Sequence, residues 1–355
     1  MPTAPKKVLI HRLGSLGDTA FLLPVFHHLN EIWPDAEKRV LTNFPVAAAA
    51  PPLQAVLGDG GFADGYFAYP IGSRNPATLW KLARDIRAWG PDVAIYANAV
   101  KPTLAVIRDG LFLRLCGARG IVGLPLAPGR RRHVFDADTG LFERETSRIA
   151  RALEGLGPID IEDPAARNLR FTDAEQDTAR QLLSGWAGTD NFICFSPGTK
   201  QAVKDWTDPN WSSVLERVST AYPNLGIIVV GADGDRARSD ALLRCWQGPK
   251  LNTCGRISPR VSAAAMADAI FFLGNDSGPM HLAAAVNTPA VAVFSRHARP
   301  GIWFPLGNHH RVFYPGLSWS GGNPVQYRQP EEETSIASIP ADGVLEACMS
   351  FLRKS

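Results

Sequence analysis

The sequence predicts an α/β fold of two Rossmann-like halves, each with a parallel sheet, followed by a terminal helix. Three observations predict it. Short apolar runs alternate with segments of helical period, the alternation restarts in the second half, and residues 157–168, rich in Pro, Asp and Glu, separate the two. Strands alternating with helices indicate βαβ units. The 355 residues are long for a single core and sufficient for two domains.

The first half begins with Lys7–His11, an apolar run typical of a buried strand. Thr19–Ile32 then carries apolar side chains three and four residues apart, which predicts a helix. Further strands are predicted at Arg39–Thr42 and Asp92–Tyr96, and a further helix at Leu79–Trp89. We therefore expect a first domain over residues 1–165.

The second half shows the same rhythm and predicts a second domain over residues 166–340. Its predicted helices are Asp173–Trp186, one that begins at Asp208 or Pro209, and Pro279–Val286; its predicted strands are Phe192–Phe195, Gly226–Val230, Ala269–Leu273 and Ala290–Phe294. Residues 341–355 have apolar side chains on one helical face, which predicts a terminal helix that packs back on the body.

Composition restricts the class of protein. The net charge of +3 gives no general affinity for nucleic acid. The five cysteines are odd in number and form no CxxC pair, which favours a reducing compartment over a disulfide framework or a zinc site. Val8–Ile10 is too short for the core of a signal peptide, and no apolar stretch is long enough to span a membrane. We expect a cytoplasmic protein, with peripheral contact to the inner face of the membrane left open.

The first motif is a turn between a predicted strand and a predicted helix, and it contains Gly14, Ser15, Gly17 and Asp18. Glycines let another group approach the backbone closely, and the helix that follows offers free N–H groups. The turn lacks the Walker A lysine and the full GxGxxG spacing. Asp18 has two interpretations from the pattern alone: a carboxylate that caps the helix, or a general base.

The second motif follows the strand Phe192–Phe195 and contains Thr199, Lys200 and Lys204. A hydroxyl and two lysines at the carboxyl end of a parallel strand suit an anion. The alternative is a polar loop with lysines that face water.

The third motif is the most informative and contains Asp276, Ser277, Gly278 and His281. An apolar strand ends, a small polar turn follows, and a helix opens near Pro279. The N–H groups of this turn suit a diphosphate at the helix N-terminus. Asp276 as a helix cap and His281 as a structural histidine remain open.

Two weaker features complete the set. Asp233 follows the strand that ends at Val230, where acidic groups bind ribose hydroxyls, although a turn-forming role competes equally. Arg130 and Arg131 belong to a basic run that either contacts an anionic acceptor or a membrane surface, or simply faces water. No HExxH motif, GxSxG elbow or Cys/His cluster with metal spacing occurs, which argues against a metalloprotease, an α/β-hydrolase and a zinc protein.

Together these segments resemble glycosyltransferase family 9, the ADP-heptose:lipopolysaccharide heptosyltransferases. The similarity covers Val8 to Tyr314 and rests on three stretches in the family's order: RLGSLGDTAFLLPVFHHL, SPGTKQAVKDWTDPNWSSVL and FLGNDSGPMHLAAAVNTPAVAVF. It implies a GT-B fold, with the two parallel sheets facing across a cleft. The Gly/Ser/Trp-rich residues 316–329 have no familiar counterpart in the family.

The resemblance also implies roles for individual residues. Asp18 matches the catalytic carboxylate, and Gly14, Ser15 and Gly17 lie on the same turn of the acceptor-binding half. Arg130 and Arg131 are acceptor-side candidates from their composition alone. The donor-binding positions are Thr199, Lys200, Lys204, Asp233, Asp276, Ser277, Gly278 and His281. The implied reaction is inverting transfer of heptose from an ADP-sugar to a glycolipid or oligosaccharide acceptor of the lipopolysaccharide core. Because no carboxylate pair is evident for a metal and the lysines can take its role, we expect no metal or other cofactor. A nucleotide-sugar epimerase of the same architecture and a non-catalytic binding protein are the alternatives.

Overall fold

The computed structural model describes residues 4–44, 51–70, 72–73, 75–184, 191–320, 323–327 and 335–354. The chain forms two compact units. The first comprises residues up to Val134 together with Glu143–Arg170, and the second comprises Phe135–Phe142 together with residues from Phe171 onward.

The first unit is a five-stranded parallel sheet with helices. Its strands are β1 (Lys7–His11), β2 (Glu37–Asn43), β3 (Gly65–Tyr69), β4 (Val93–Tyr96) and β5 (Gly120–Val122), in the spatial order β3-β2-β1-β4-β5. Its helices are α1 (Leu16–Ala20), α2 (Leu23–Ile32), α3 (Gln54–Leu57), α4 (Pro76–Trp89), α5 (Thr103–Leu115), α6 (Pro128–Arg131) and α7 (Glu145–Ala152). The central strand β1 reads as an apolar run because helices cover a parallel sheet on both faces.

The helix predicted over Thr19–Ile32 is in fact two helices, α1 and α2. Pro24 lies in the first turn of α2 and has no backbone N–H to donate to Ala20, so a continuous helix would lose that hydrogen bond. The strand β3 was not predicted from the sequence, since its side chains are only partly buried and give no clear alternation.

The second unit is a six-stranded parallel sheet with helices and a separate pair of antiparallel strands. Its sheet strands are β6 (Phe192–Ser196), β7 (Gly226–Val229), β8 (Lys250–Asn252), β9 (Phe272–Asn275), β10 (Ala290–Val293) and β11 (Arg311–Phe313), in the order β11-β10-β9-β6-β7-β8. Strands β12 (Leu317–Ser320) and β13 (Asn323–Tyr327) pair antiparallel within the segment 316–329. Its helices are α8 (Asp173–Ser184), α9 (Asp208–Ala221), α10 (Arg236–Leu242), α11 (Pro259–Met266), α12 (Gly278–Ala285) and α13 (Ala341–Leu352). The end of the helix predicted over Asp173–Trp186 lies outside the described residues.

The terminal helix α13 packs back on the second unit, as the sequence predicts. Its Val344 and Cys348 are fully buried in the same apolar cluster as Trp206 and Trp211. The indole N–H of Trp206 donates to Ile339 O at 3.0 Å, which fixes the chain just before α13.

One segment crosses the boundary that the sequence predicts after residue 165. The sequence places Phe135–Phe142 in the first domain, but the segment belongs to the second unit. There the backbone N–H of Phe142 donates to Pro300 O at 2.9 Å, and the guanidinium of Arg299 lies over the Phe142 ring. The contacts that hold this segment come from residues far along the chain, so local sequence did not reveal them.

All five cysteines are free thiols. Burial raises the pKa of Cys116 to about 12 and that of Cys254 to about 11, so both are protonated at neutral pH. Among the described helices, none combines the length and the apolar composition needed to cross a bilayer.

Candidate functional site

The turn between β1 and α1 places Asp18 directly against Gly14. Gly14 has φ +142°, and a Cβ added there would lie 2.6 Å from the Asp18 Cβ. Only glycine therefore fits this close approach without displacing the carboxylate. Ser15 and Gly17 lie on the same turn, so the structure brings together these four predicted residues of the first unit.

The Asp18 carboxylate is held through one of its two oxygens. Oδ2 accepts the backbone N–H of Ser15 at 2.8 Å and the Ser15 hydroxyl at 3.1 Å. This is the capping contact that the structural interpretation expects. Oδ1 lies 3.9 Å from the Arg12 guanidinium, and within the described part of the chain it accepts no hydrogen bond. The side chain is 30% exposed, so this carboxylate caps the helix and is still accessible to solvent.

Arg12 stabilises the turn that carries Asp18, a role that the sequence pattern did not indicate. Its guanidinium is 1% exposed and donates to Ala97 O at 2.8 Å and to Asp18 O at 2.6 Å. Burial lowers the pKa of Arg12 from its usual range, and Asp18 opposes that effect. Arg12 thereby ties the end of β1 to the end of β4 and to α1.

Two asparagines at the carboxyl ends of neighbouring strands fix the same turn. Asn98 accepts the backbone N–H of Leu13 at 2.7 Å, and Asn43 accepts that of Gly14 at 3.2 Å. Because the carboxyl ends of parallel strands meet at one sheet edge, amides from β2 and β4 reach the loop after β1. Strands β2 and β4 are far apart in the sequence but both lie next to β1 in the sheet, so their asparagines can hold this turn.

Arg130 and Arg131 lie on α6, where both side chains contact neighbouring elements. Arg130 pairs with Glu154, and Arg131 contacts the Thr103 hydroxyl at the start of α5. The buried guanidinium of Arg148 donates to Asn98 O at 2.7 Å and lies 3.5 Å from Arg130 O, which connects α6 to the edge that holds the turn.

Glu145 forms an ion pair with Arg148 and so holds the contact between α6 and the sheet edge in place. It is 1% exposed, pairs with Arg148 at 2.6 Å and contacts His133 Nε2 at 2.7 Å. Burial alone would raise the pKa of Glu145, but its bonds to Arg148 and His133 hold that pKa below its usual value. Both Glu145 and Arg148 were missed by the sequence analysis, which singled out only the basic run.

In the second unit, the loop after β6 is packed against the start of α10. A Cβ added at Gly198 would lie 2.5 Å from Asp235 Oδ2, so any side chain at this position would displace the Asp235 carboxylate. Thr199 Oγ1 lies 3.3 Å from Gln201 O within the loop, and Lys200 is exposed. Lys204 closes a 3₁₀ turn, Ala202–Lys204, at the loop's far end.

Lys204 and Asp276 form an ion pair at 2.6 Å, with side chains 19% and 7% exposed. The pair connects the loop after β6 to the turn after β9, two predicted donor-binding segments. An ammonium has three N–H donors. Among the described residues Lys204 directs one of these to Asp276, which leaves two for an anion.

The turn after β9 presents buried polar atoms at the N-terminus of α12. Ser277 is the N-cap residue, yet its hydroxyl caps no backbone N–H, and its buried Oγ has no partner among the described residues. Asn275 Nδ2 donates to Pro197 O at 2.8 Å, which holds this turn against the loop after β6. Gly278 is the first helical residue and Pro279, the second, has no N–H, so the start of the helix offers the N–H groups of Gly278 and Met280.

The two remaining predicted residues differ in environment. His281 is 6% exposed on α12, with its ring edge-to-face with Trp303 at a centroid distance of 6.4 Å. Asp233 is 82% exposed on its side chain and pairs with Arg236 at 2.9 Å. Asp233 therefore lies at the surface of the loop after β7, where neither a turn role nor a ligand role is contradicted.

Arg238 stabilises the loop after β6, a role that the sequence pattern did not indicate. It donates to Asp205 at 2.8 Å, to Asp208 at 2.6 Å and to Pro197 O at 3.2 Å. Within the described ranges, no group of three or more His, Cys, Asp or Glu residues is arranged to hold a metal ion.

Comparison with known proteins identifies relatives for both sequence and fold. Residues 130–318 match the family model described as glycosyltransferase family 9 (heptosyltransferase). Lipopolysaccharide heptosyltransferase 3 of Escherichia coli is 23% identical over 351 residues, which cover 96% of this chain and 97% of that protein.

Two solved structures share the fold over nearly the whole chain. A glycosyl transferase family 9 protein from Veillonella parvula has a TM-score of 0.74 at 17% identity and covers 99% of this chain and 98% of its own. E. coli ADP-heptose lps heptosyltransferase II has a TM-score of 0.65 at 18% identity, with 98% and 99% covered. The two parallel sheets together with these likenesses show that the fold is α/β of the GT-B type.

Proposed function

The chain belongs to glycosyltransferase family 9, the heptosyltransferase family, and from this premise we propose that it transfers heptose from ADP-heptose to a lipopolysaccharide-core acceptor. The names of an E. coli relative and an E. coli structural neighbour support this donor and this acceptor class. A glycosyltransferase requires a site for the leaving diphosphate and a base for the acceptor hydroxyl, and each unit offers one of these.

The observation that carries the proposal is the cluster of donors around Lys204 in the second unit. The ammonium is fixed by Asp276, which belongs to the turn that also presents the buried Ser277 hydroxyl and the N-terminus of α12. Oriented N–H groups and a helix N-terminus bind phosphate oxygens, and a lysine adds charge. In this proposal Thr199 and Lys200 complete the diphosphate site, while His281 and Asp233 contact other parts of the nucleotide sugar.

Asp18 is the proposed general base. Its Oδ1 takes the proton of an acceptor hydroxyl while that oxygen forms a bond to the anomeric carbon. The bond between the anomeric carbon and the phosphate oxygen breaks, and ADP leaves with the bonding electrons. Attack opposite to the leaving group inverts the anomeric configuration. Gly14, Ser15 and Gly17 hold Asp18 in place, and Arg130 and Arg131 are proposed to face anionic groups of the acceptor.

Charge on the departing diphosphate is balanced in this scheme by Lys200, Lys204 and the α12 N-terminus. Transfer therefore needs no divalent cation, and turnover should be the same with and without EDTA. Loss of activity in EDTA that Mg²⁺ restores would refute this part of the proposal.

The decisive experiment incubates the purified protein with ADP-heptose and a heptose-deficient lipopolysaccharide core, and follows ADP release and acceptor mass. We expect ADP and an acceptor heavier by one heptose in equal amounts. A parallel incubation with donor alone should leave the sugar unchanged, whereas an isomerised sugar would indicate an epimerase. Binding of ADP-heptose without either product would indicate a non-catalytic binding protein.

A further inference from the structure

Helix α5 exposes a stripe of large aliphatic side chains. Leu104 is 81% exposed and Leu111 67%, and Ile107 and Leu115 on the same side are more than two-fifths exposed. The spacing of three, four and four residues places them on one helical face. Four adjacent exposed aliphatic side chains form a contiguous apolar patch, which is a feature of interaction surfaces.

This stripe is not the face that holds α5 in the fold. The opposite face buries Val106, Asp109, Gly110 and Leu113 against the body of the first unit. A Cβ added at Gly110 would lie 2.8 Å from Leu124, so the helix is already closely packed on that side. Since α5 is apolar on both faces, its outer stripe is free to bind a partner.

The surroundings of the stripe are strongly cationic. Between residues 99 and 134 the chain has seven Lys or Arg residues and a single acid, Asp109. Asp109 is buried and paired with Lys101 at 2.7 Å and Arg108 at 2.9 Å. Arg108 and Arg114 are exposed beside the aliphatic side chains. Within this stretch of chain the aliphatic stripe is flanked by Arg108 and Arg114 and by no exposed acid; Glu154, from outside the stretch, pairs with Arg130. Such a stripe complements a surface that is anionic outside and apolar beneath.

The stripe also lies close to the acceptor side of the first unit. The start of α5 follows β4 at the carboxyl edge of the sheet, where Asn98 fixes the Asp18 turn. Arg131 contacts Thr103 at the first residue of α5, and Leu126, which precedes α6, is 50% exposed. The apolar and basic residues of this region therefore form one surface beside the turn that carries Asp18.

We propose that the outer face of α5, together with Leu126 and the exposed Arg108 and Arg114, docks on the anionic surface of a lipid bilayer. The aliphatic side chains enter the boundary between headgroups and acyl chains, and the arginines bind lipid phosphates. A second copy of the chain is a poorer partner, because a two-fold contact would set like-charged patches against each other. The inference rests on the proposed function in one respect: a membrane-anchored acceptor gives the docking its use.

The test is co-sedimentation of the full-length protein with vesicles of phosphatidylcholine, with and without added phosphatidylglycerol. We expect binding only to the anionic vesicles and a decline as salt rises. The double variant Leu104→Gln/Leu111→Gln should lower the partition coefficient by about tenfold or more, since two exposed leucines no longer enter the bilayer. Arg108→Gln should lower it by about fivefold.

Matched controls lie in the second unit. Val203→Gln removes an apolar side chain that is 60% exposed, and Arg180→Gln removes an arginine whose side chain is 68% exposed; neither should change vesicle binding. Equal binding by wild type and the leucine variant would overturn the proposal. So would a wild-type dimer that becomes a monomer in the leucine variant without any vesicle binding.

Failure of this inference is separable from failure of the proposed function. Asp18→Asn should bind vesicles like wild type while it loses transfer. A protein that transfers heptose to a delipidated acceptor but ignores vesicles would refute the docking surface alone, whereas vesicle binding without transfer would refute the proposed function alone.

Discussion

In the second unit, the Lys204 ammonium lies 2.6 Å from the Asp276 carboxylate and joins two loops that are 72 residues apart in sequence. Both loops follow neighbouring parallel strands, β6 and β9, so their proximity is a consequence of sheet order. Because both side chains are largely buried, solvent screens this ion pair less than it screens an exposed one. It provides a direct test of the proposed diphosphate site.

Lys204→Met should raise the dissociation constant for ADP by about tenfold or more and lower turnover as well. A charge-assisted hydrogen bond to phosphate is worth about 1.5–3 kcal/mol, and the lysine also stabilises the leaving group. Calorimetric titration with ADP and steady-state kinetics measure the two effects. Lys354→Met, at an exposed position of the same unit, is the control and should match wild type. Unchanged ADP affinity in Lys204→Met would remove the lysine from the donor site.

Asp18→Asn should lose about 10²-fold or more in turnover while it keeps ADP affinity and stability. The asparagine oxygen can still accept the Ser15 N–H that Asp18 accepts at 2.8 Å, so the helix cap survives and only proton acceptance is lost. Kinetics, ADP titration and thermal unfolding separate these effects. Ser15→Ala, which removes only the 3.1 Å hydroxyl contact, should retain most of the activity. Turnover of the Asp18→Asn variant at the wild-type rate would leave Asp18 as a capping residue only.

Gly14→Ala should reduce turnover without abolishing the fold. The new methyl would lie 2.6 Å from the Asp18 Cβ at a backbone φ of +142°, so the carboxylate must move. Gly129→Ala is the matched control, because an added Cβ there meets nothing within 4 Å. Comparison of kcat with the melting temperature for both variants distinguishes displacement of Asp18 from general destabilisation. If Gly14→Ala retains full kcat, the position of Asp18 does not limit the reaction.

Local sequence revealed the turns that contain Gly14 and Gly278 and the starts of α8, α9 and α12, because glycine, small polar residues and apolar periodicity depend on the nearby backbone. It did not reveal Arg12, whose acceptor Ala97 is 85 residues away, or Arg148, which reaches Asn98 from 50 residues away. Both are buried arginines, a residue type that sequence reasoning places at the surface.

The same limit explains which interpretations of Asp18 and Lys204 the sequence left open. Capping uses only Oδ2 of the Asp18 carboxylate and leaves Oδ1 for the proposed role as a base, a distinction that only coordinates make. The partner of Lys204 depends on the strand order β9-β6, which the sequence pattern does not specify. Local motifs therefore predict the candidate residues, whereas the contacts that hold these residues depend on the order of the strands in the sheet.

His11 should make the stability of the protein depend on pH in a defined window. Complete burial lowers its pKa from about 6.5 to about 3, with Lys101 and Arg108 adding to the effect and Asp109 opposing it. The unfolded chain therefore binds more protons than the folded one between these values. Neutral His11 contributes fully to the stability of the folded state above about pH 6.5, and this contribution is lost as pH falls toward 3.

His11→Phe keeps a ring for the edge contact with Tyr96 but cannot titrate. Between pH 7 and pH 5 the free energy of unfolding of wild type should fall by about 2 kcal/mol more than that of His11→Phe. Urea unfolding at both pH values measures the difference, and parallel losses in the two proteins would mean that His11 is not held neutral.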